Sequence, residues 1–199
     1  KVSFLNRLLS RQIKAPFVEI RQPDIRLPQI EEPEEPSELL RLENYSLAFE
    51  EKLLENVSFS VKTGEKVALV GANGTGKTSM LRQIVKNENP AIRFSADAVP
   101  AFFSQLHAEI LKEQNTIYEE FFDIGFETES QVEEHLQKYC FDPDSLGRKV
   151  GHLSGGEKNL LQLAKLGAGH ANLLLLDEPS SHLDTFAQIA LEDAIAAYR

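Results

Sequence analysis

The stretch Gly71-Ala72-Asn73-Gly74-Thr75-Gly76-Lys77-Thr78 leaves this chain few choices of fold. The apolar run Val67-Ala68-Leu69-Val70 precedes it, and a helical pattern opens at Ser79. The order predicts a buried strand over 66–70, then a glycine loop, then a helix. That is the context in which G-x-x-x-x-G-K-[ST] holds phosphate. Gly71, Gly74 and Gly76 let the backbone curl with successive N–H groups turned inward. The helix start adds its positive dipole end and unpaired N–H groups. Lys77 then puts a point charge on the β- and γ-phosphates, and the Thr78 hydroxyl holds Mg²⁺. A glycine turn with a solvated lysine is the plain alternative, and the flanking strand and helix patterns weigh against it. The stretch indicates a nucleoside triphosphate, but not what its hydrolysis drives.

Composition narrows the partners. With 199 residues the chain has room for one domain with its own core plus a tail. A net charge of −10 means that the domain as a whole is not built to coat nucleic acid or an anionic membrane. Cys140 is the single cysteine, so no internal disulfide forms and a reducing, cytoplasmic setting fits. No apolar run approaches a membrane span, so direct membrane insertion is not expected. The opening Lys-Val-Ser-Phe-Leu does not read as a signal peptide. Met80 is its only methionine, so it reads as a piece or processed form of something longer. Residues 1–30 carry six basic residues against two acidic ones, or +4, leaving −14 for the rest. Val2, Leu5, Leu8 and Leu9 share a helical face, and Pro16, Pro23, Pro28, Pro33 and Pro36 then break any helix. Residues 1–36 therefore read as the end of a basic helix and a proline-rich linker, with a disordered tail as the alternative. The folded domain, 37–199, is expected to begin near Leu39.

Leu40–Tyr45 alternates as an edge strand would, and Asn56–Val61 alternates too, giving a small antiparallel part on the N-terminal side. Phe49 lies between them, either as a platform for a base or as an ordinary packed ring. A helix is expected over Ser79–Lys86. Val99–Ser104 reads as a strand with Gln105 at its end, where open α/β sheets bind ligands. From about 106 to 160 the pattern is helical, including 117–122 and 131–140, and reads as a subdomain inserted into an α/β core. His107 and His135 have no metal-ligand spacing and read as surface residues. Ser154 and Glu157 form a capping box, so a helix begins beside Gly155 and Gly156. That helix start is a second possible phosphate site or simply a capped helix. Leu173–Leu176 suits a strand buried on both faces, with Asp177 and Glu178 at its end. Asp177 would take the metal or its water, and Glu178 would polarise an attacking water. Asp184 can cap the last helix.

The glycine loop, the aromatic before it, Gln105, Leu-Ser-Gly-Gly-Glu, Leu-Leu-Leu-Leu-Asp-Glu and His-Leu-Asp occur in the order of an ATP-binding cassette (ABC) domain, which residues 39–199 resemble. The resemblance implies a P-loop NTPase core, with ATP and Mg²⁺ as cofactors and ATP hydrolysis as the activity. It matches Phe49 to the adenine-stacking aromatic and Gly71, Asn73, Gly74, Thr75, Gly76, Lys77, Thr78 and Ser79 to the phosphate cradle. Gln105 matches the residue that reaches metal and attacking water, and Asp177 and Glu178 the metal and catalytic carboxylates. Ser154, Gly155 and Gly156 match the signature that closes on the nucleotide of an opposite cassette, and Asp184 the loop beside it. Glu157-Lys158 and His182-Leu183-Asp184 are similar to the ABC-F type, although Ser180-Ser181 and Leu160 depart from its usual Thr-Asn and Arg. That type implies a second cassette, on the same chain upstream or in a second copy, and action on the ribosome in translation or antibiotic resistance. The motor subunit of an ABC membrane transporter is the alternative. No histidine follows His182 to match the family's switch histidine, so a cassette ending before it is implied, with the isolated fragment nearly inactive.

Overall fold

The alternating stretches form a long hairpin. β1 (Glu38–Ala48) and β2 (Lys52–Lys62) run antiparallel, with Leu42 opposite Phe59 and Leu47 opposite Leu54. The computed structural model describes residues 21–28, 35–48 and 52–198, so the helix expected over 2–13 and Phe49 lie outside the described residues. Two asparagines set the register. Between Leu42 and Tyr45, β1 carries one residue more than β2, and Asn44 takes a left-handed φ of 52° there. Between Val57 and Leu54, β2 carries the extra residue, and Asn56 has φ 53°. Each bulge lets the buried set continue, so Leu40, Leu42, Tyr45 and Leu47 are all buried. Asparagine tolerates this conformation better than most residues.

β3 (Ile92–Phe94) adds to the other side of β1, giving the order β2-β1-β3. β1 is therefore central and not the edge strand that its alternation predicts. Alternation reports one buried face and is silent on the number of neighbours. Under this sheet lies α1 (Lys77–Lys86), which buries Met80, Leu81 and Ile84. Its end is fixed by Asn87 at φ 50°, whose N–H caps the carbonyls of Gln83 and Ile84.

A second sheet positions the carboxylates. β4 (Pro100–Phe103) and β5 (Leu173–Leu176) are parallel, with Phe103 opposite Leu176. β5 is buried on one face and partly buried on the other, short of the two buried faces that its unbroken leucines predict. Leu173 and Leu175 join the core under β1 and α1, while Leu174 and Leu176 pack against the helices. Those helices are α2 (Ile117–Phe122), α3 (Glu129–Gln137), α4 (Gly155–Gly167) and α5 (Thr185–Ala197). Phe121, Tyr139, Leu161 and Leu163 are fully buried between them. Each such side chain contributes about 1.5–3 kcal/mol of burial free energy. The architecture is the expected α/β one, with helices inserted between β4 and β5.

Three expectations need correction. Residues 66–70 form no strand and pair with no described strand, and Val67 and Val70 are 56% and 92% exposed. A strand is completed by a neighbour that takes its backbone hydrogen bonds, and none of the described strands lies alongside. A cavity of about 450 Å³ instead separates Val67–Leu69 from Leu173–Leu176. His107 and His135 are not surface residues but half-buried. His135 sits among Phe121, Phe126 and Tyr139 with Nε2 at 2.8 Å from the carbonyl of Ala164, and burial pushes its pKa down. Finally, packing starts well before Leu39. Within 21–28, Ile25 and Leu27 are buried, and the carbonyl of Arg26 accepts from the Tyr139 hydroxyl at 2.7 Å. Pro23 and Pro28 keep helix out of this stretch, which carries no regular secondary structure.

Candidate active site

Three chain segments meet at the C-terminal ends of β4 and β5. The first is the glycine loop. Gly74 and Gly76 have φ 82° and 91°, values that disfavour any side chain. Gly76 is needed for space as well, because a Cβ there would stand 2.9 Å from Cδ2 of Leu47 and 3.2 Å from Cδ1 of Leu53. Leu47 of β1 and Leu53 of β2 therefore lie on the exit of the loop. Lys77 Nζ curls back to donate to the carbonyls of Gly71 and Ala72, at 2.8 Å each. The Thr75 hydroxyl donates to the carbonyl of Ala72 at 2.9 Å, and Asn73 is exposed in the turn. The loop is thus wound around the lysine ammonium at the start of α1, where Thr78 and Ser79 occupy the first turn.

The second segment is the exit of β5. The ladder closes with the N–H of Asp177 donating to the carbonyl of Phe103 at 3.0 Å. This buries the Asp177 side chain, whose Oδ1 accepts from the Thr78 hydroxyl at 3.0 Å. Its Oδ2 is buried without a hydrogen-bond partner. A buried carboxylate oxygen left alone is costly. A divalent cation between Thr78 and Asp177 would remove that cost, so the residues fit the Mg²⁺ that a nucleotide brings. Glu178 follows in a left-handed backbone conformation, φ 50°, a strained state for a residue other than glycine.

The third segment leaves β4. Gln105 is exposed, and its Nε2 donates to Glu178 Oε2 at 3.0 Å. The family resemblance assigns both residues to the attacking water, and their side chains touch each other here. Lys77, Thr78, Gln105, Asp177 and Glu178 are thereby drawn together through two side-chain contacts, Thr78 to Asp177 and Gln105 to Glu178.

The remaining candidates stand elsewhere or have local duties. Ser154 caps α4, accepting from the Glu157 N–H at 3.3 Å while its hydroxyl donates to the Glu157 carboxylate at 2.8 Å. Burial alone would raise the Glu157 carboxyl, but hydrogen bonds from Arg148 and Ser154 outweigh it and hold it below its ordinary value. Gly155 and Gly156 face the loop after β5. A Cβ on Gly156 would lie 2.7 Å from the carbonyl oxygen of His182, itself at φ 59°. Gly156 is thus required by packing within the chain, whatever else it binds, whereas a Cβ on Gly155 would only touch the His182 side chain. Asp184 caps α5 by accepting from the Ala187 N–H at 2.9 Å. Two buried amides on α4, Asn159 and Gln162, escaped the sequence reading. The signal was there in Gln162, a polar residue inside Leu160-Leu161-Gln162-Leu163-Ala164.

Comparison with known proteins gives the family and the fold. The family model described as ABC transporter matches residues 54–181. ABC transporter F family member 5 of Arabidopsis thaliana is 35% identical over 167 residues, covering 81% of this chain and 24% of that protein. The energy-dependent translational throttle protein EttA of Escherichia coli K12 is 32% identical over 170 residues, covering 80% of this chain and 30% of that protein. The chain thus spans less than a third of these relatives. Among solved structures, the ATP-binding cassette MJ0796, a dimer in a post-hydrolysis state bound to ADP and Pi, superposes with a TM-score of 0.64. At 22% identity over 79% of this chain and 81% of that one, this likeness concerns the fold. With the family model spanning glycine loop, signature and paired carboxylates, the chain belongs to the ABC transporter family as an ATP-binding cassette domain.

Proposed function

We propose that this cassette binds Mg·ATP on the glycine loop and, within an intact two-cassette protein of the ABC-F type, hydrolyses it to drive a step on the ribosome. The observation that carries the ATPase reading is the joined pair of contacts: Thr78 with Asp177, whose second oxygen is orphaned, and Gln105 with Glu178. Thr78 and Asp177 would hold Mg²⁺, which supplies charge neutralisation at the phosphate oxygens. Lys77 and the loop N–H groups hold the triphosphate. Glu178 takes a proton from the attacking water, and Gln105, already bonded to it, orients both. Leu47 and Leu53, two residues before and four after Phe49 in the sequence, lie against Gly76, which supports Phe49 as the adenine platform.

The ribosomal role rests on the ABC-F relatives, one of which is named a translational throttle. A cytoplasmic setting is part of the proposal. Among the described residues, no helix is long and apolar enough to cross a membrane.

Glu178→Gln keeps size and hydrogen bonding but removes the base. In the intact protein it lowers kcat by about 10²–10⁴ while ATP still binds. With ATP present, the variant should sediment with ribosomes. Wild-type turnover would move the catalytic role off Glu178. Association with membranes instead of ribosomes would favour a transporter motor.

A further inference from the structure

We propose that Gln162 and Asn159, buried amides on one face of α4, are positioning residues that hold Gln105 against Glu178. The inference rests on the active-site reading above.

The chain leaves β4 at Ser104, which is fully buried. Beyond Phe103 the ladder with β5 has ended, so the N–H and C=O of Ser104 need other partners. Gln162 supplies both. Its Oε1 accepts from the Ser104 N–H at 3.2 Å, and its Nε2 donates to the Ser104 carbonyl at 3.1 Å. One amide side chain thus stands in for a neighbouring strand, one residue before Gln105.

Asn159, three residues earlier and so on the same face of α4, grips both loops. Its Nδ2 donates to the carbonyl of Ser181, three residues after Glu178. With Nδ2 engaged as donor, Oδ1 is the acceptor, so His107 Nε2, at 2.6 Å, carries a proton and donates. His107 lies two residues after Gln105. The contact between Gln105 and Glu178 is therefore flanked by Ser104 and His107 on one loop and Ser181 on the other, and all three are fastened to α4. Both amides are about 1% exposed, too deep to meet substrate. Without them, the hydrogen bond from the Asp177 N–H to the Phe103 carbonyl would still join the two strands, but the loops beyond it would lose their fastening to α4. A shift of about 1 Å at such a contact costs up to about 10²-fold in rate.

The test uses the full-length protein, with ATP affinity, KM and kcat measured for Gln162→Leu, Asn159→Ala, Gln105→Ala and the double variants with Gln105→Ala. Gln162→Leu keeps volume but removes both bonds to Ser104. We expect kcat to fall about 10- to 100-fold with ATP affinity and KM within twofold. The loss should largely vanish in the Gln105→Ala background, because there is then no glutamine to position. Should Gln162→Leu fail to fold, Asn159→Ala carries the same test through Ser181 and His107. Wild-type kcat in the folded variant, or a loss fully additive with Gln105→Ala, would overturn the clamp alone. Wild-type kcat in Gln105→Ala would overturn the active-site reading and the clamp with it.

Discussion

Lys77 shows how a single side chain serves two ends. Its ammonium now satisfies the carbonyls of Gly71 and Ala72, holding the loop in a curl that a phosphate can enter. A charge-assisted contact to phosphate contributes about 1.5–3 kcal/mol. Lys77→Ala should therefore weaken ATP binding by about 10- to 150-fold in calorimetry. Unchanged affinity would take the phosphate off this loop. At this scale much was legible in the sequence, because Gly76, Lys77, Thr78 and Asp177 belong to patterns whose chemistry is local. Packing reasons were not legible. Gly76 and Gly156 are glycines partly because Leu47, Leu53 and the carbonyl of His182 lie against them, and those neighbours come from distant parts of the chain.

Among the elements, α4 ties the most together. Its start carries Ser154 and the double glycine, its middle the two amides, and its end Gly167. A Cβ on Gly167 would overlap the Arg26 carbonyl oxygen and the Tyr139 hydroxyl. Gly167→Ala gains helix propensity of up to about 1 kcal/mol. Overpacking of about 1–3 kcal/mol opposes it. We expect residues 21–28 to be displaced, seen as faster tryptic cleavage after Arg21 and Arg26 with unchanged ATP affinity. At the other end, Glu157 is held below its ordinary value of 4.5, so its charge stabilises the folded state. That contribution is full above about pH 4.5 and fades as pH falls through the lower folded value. Urea midpoints of wild type and Glu157→Gln should differ at neutral pH and converge in acid, whereas a gap that widens in acid would reverse the sign. The helices, β4 and β5 were legible from periodicity. The state of 66–70 was not, because a strand's partner is a property of the whole sheet.

For the whole molecule, the arrangement of half-sites matters most. The chain holds one glycine loop and one Leu-Ser-Gly-Gly stretch. By its family likeness the two would serve different nucleotides, with a second cassette completing each site. A site lacking one charge-stabilising donor loses about 10²–10³ in rate. The most direct measurement is Mg·ATP turnover by the 199-residue chain against its own concentration, with sedimentation reporting its assembly state. The account predicts ATP binding by the monomer, turnover close to background, and activity rising with the square of protein concentration where copies pair head-to-tail. Robust turnover, first-order in protein and from monomer alone, would contradict it.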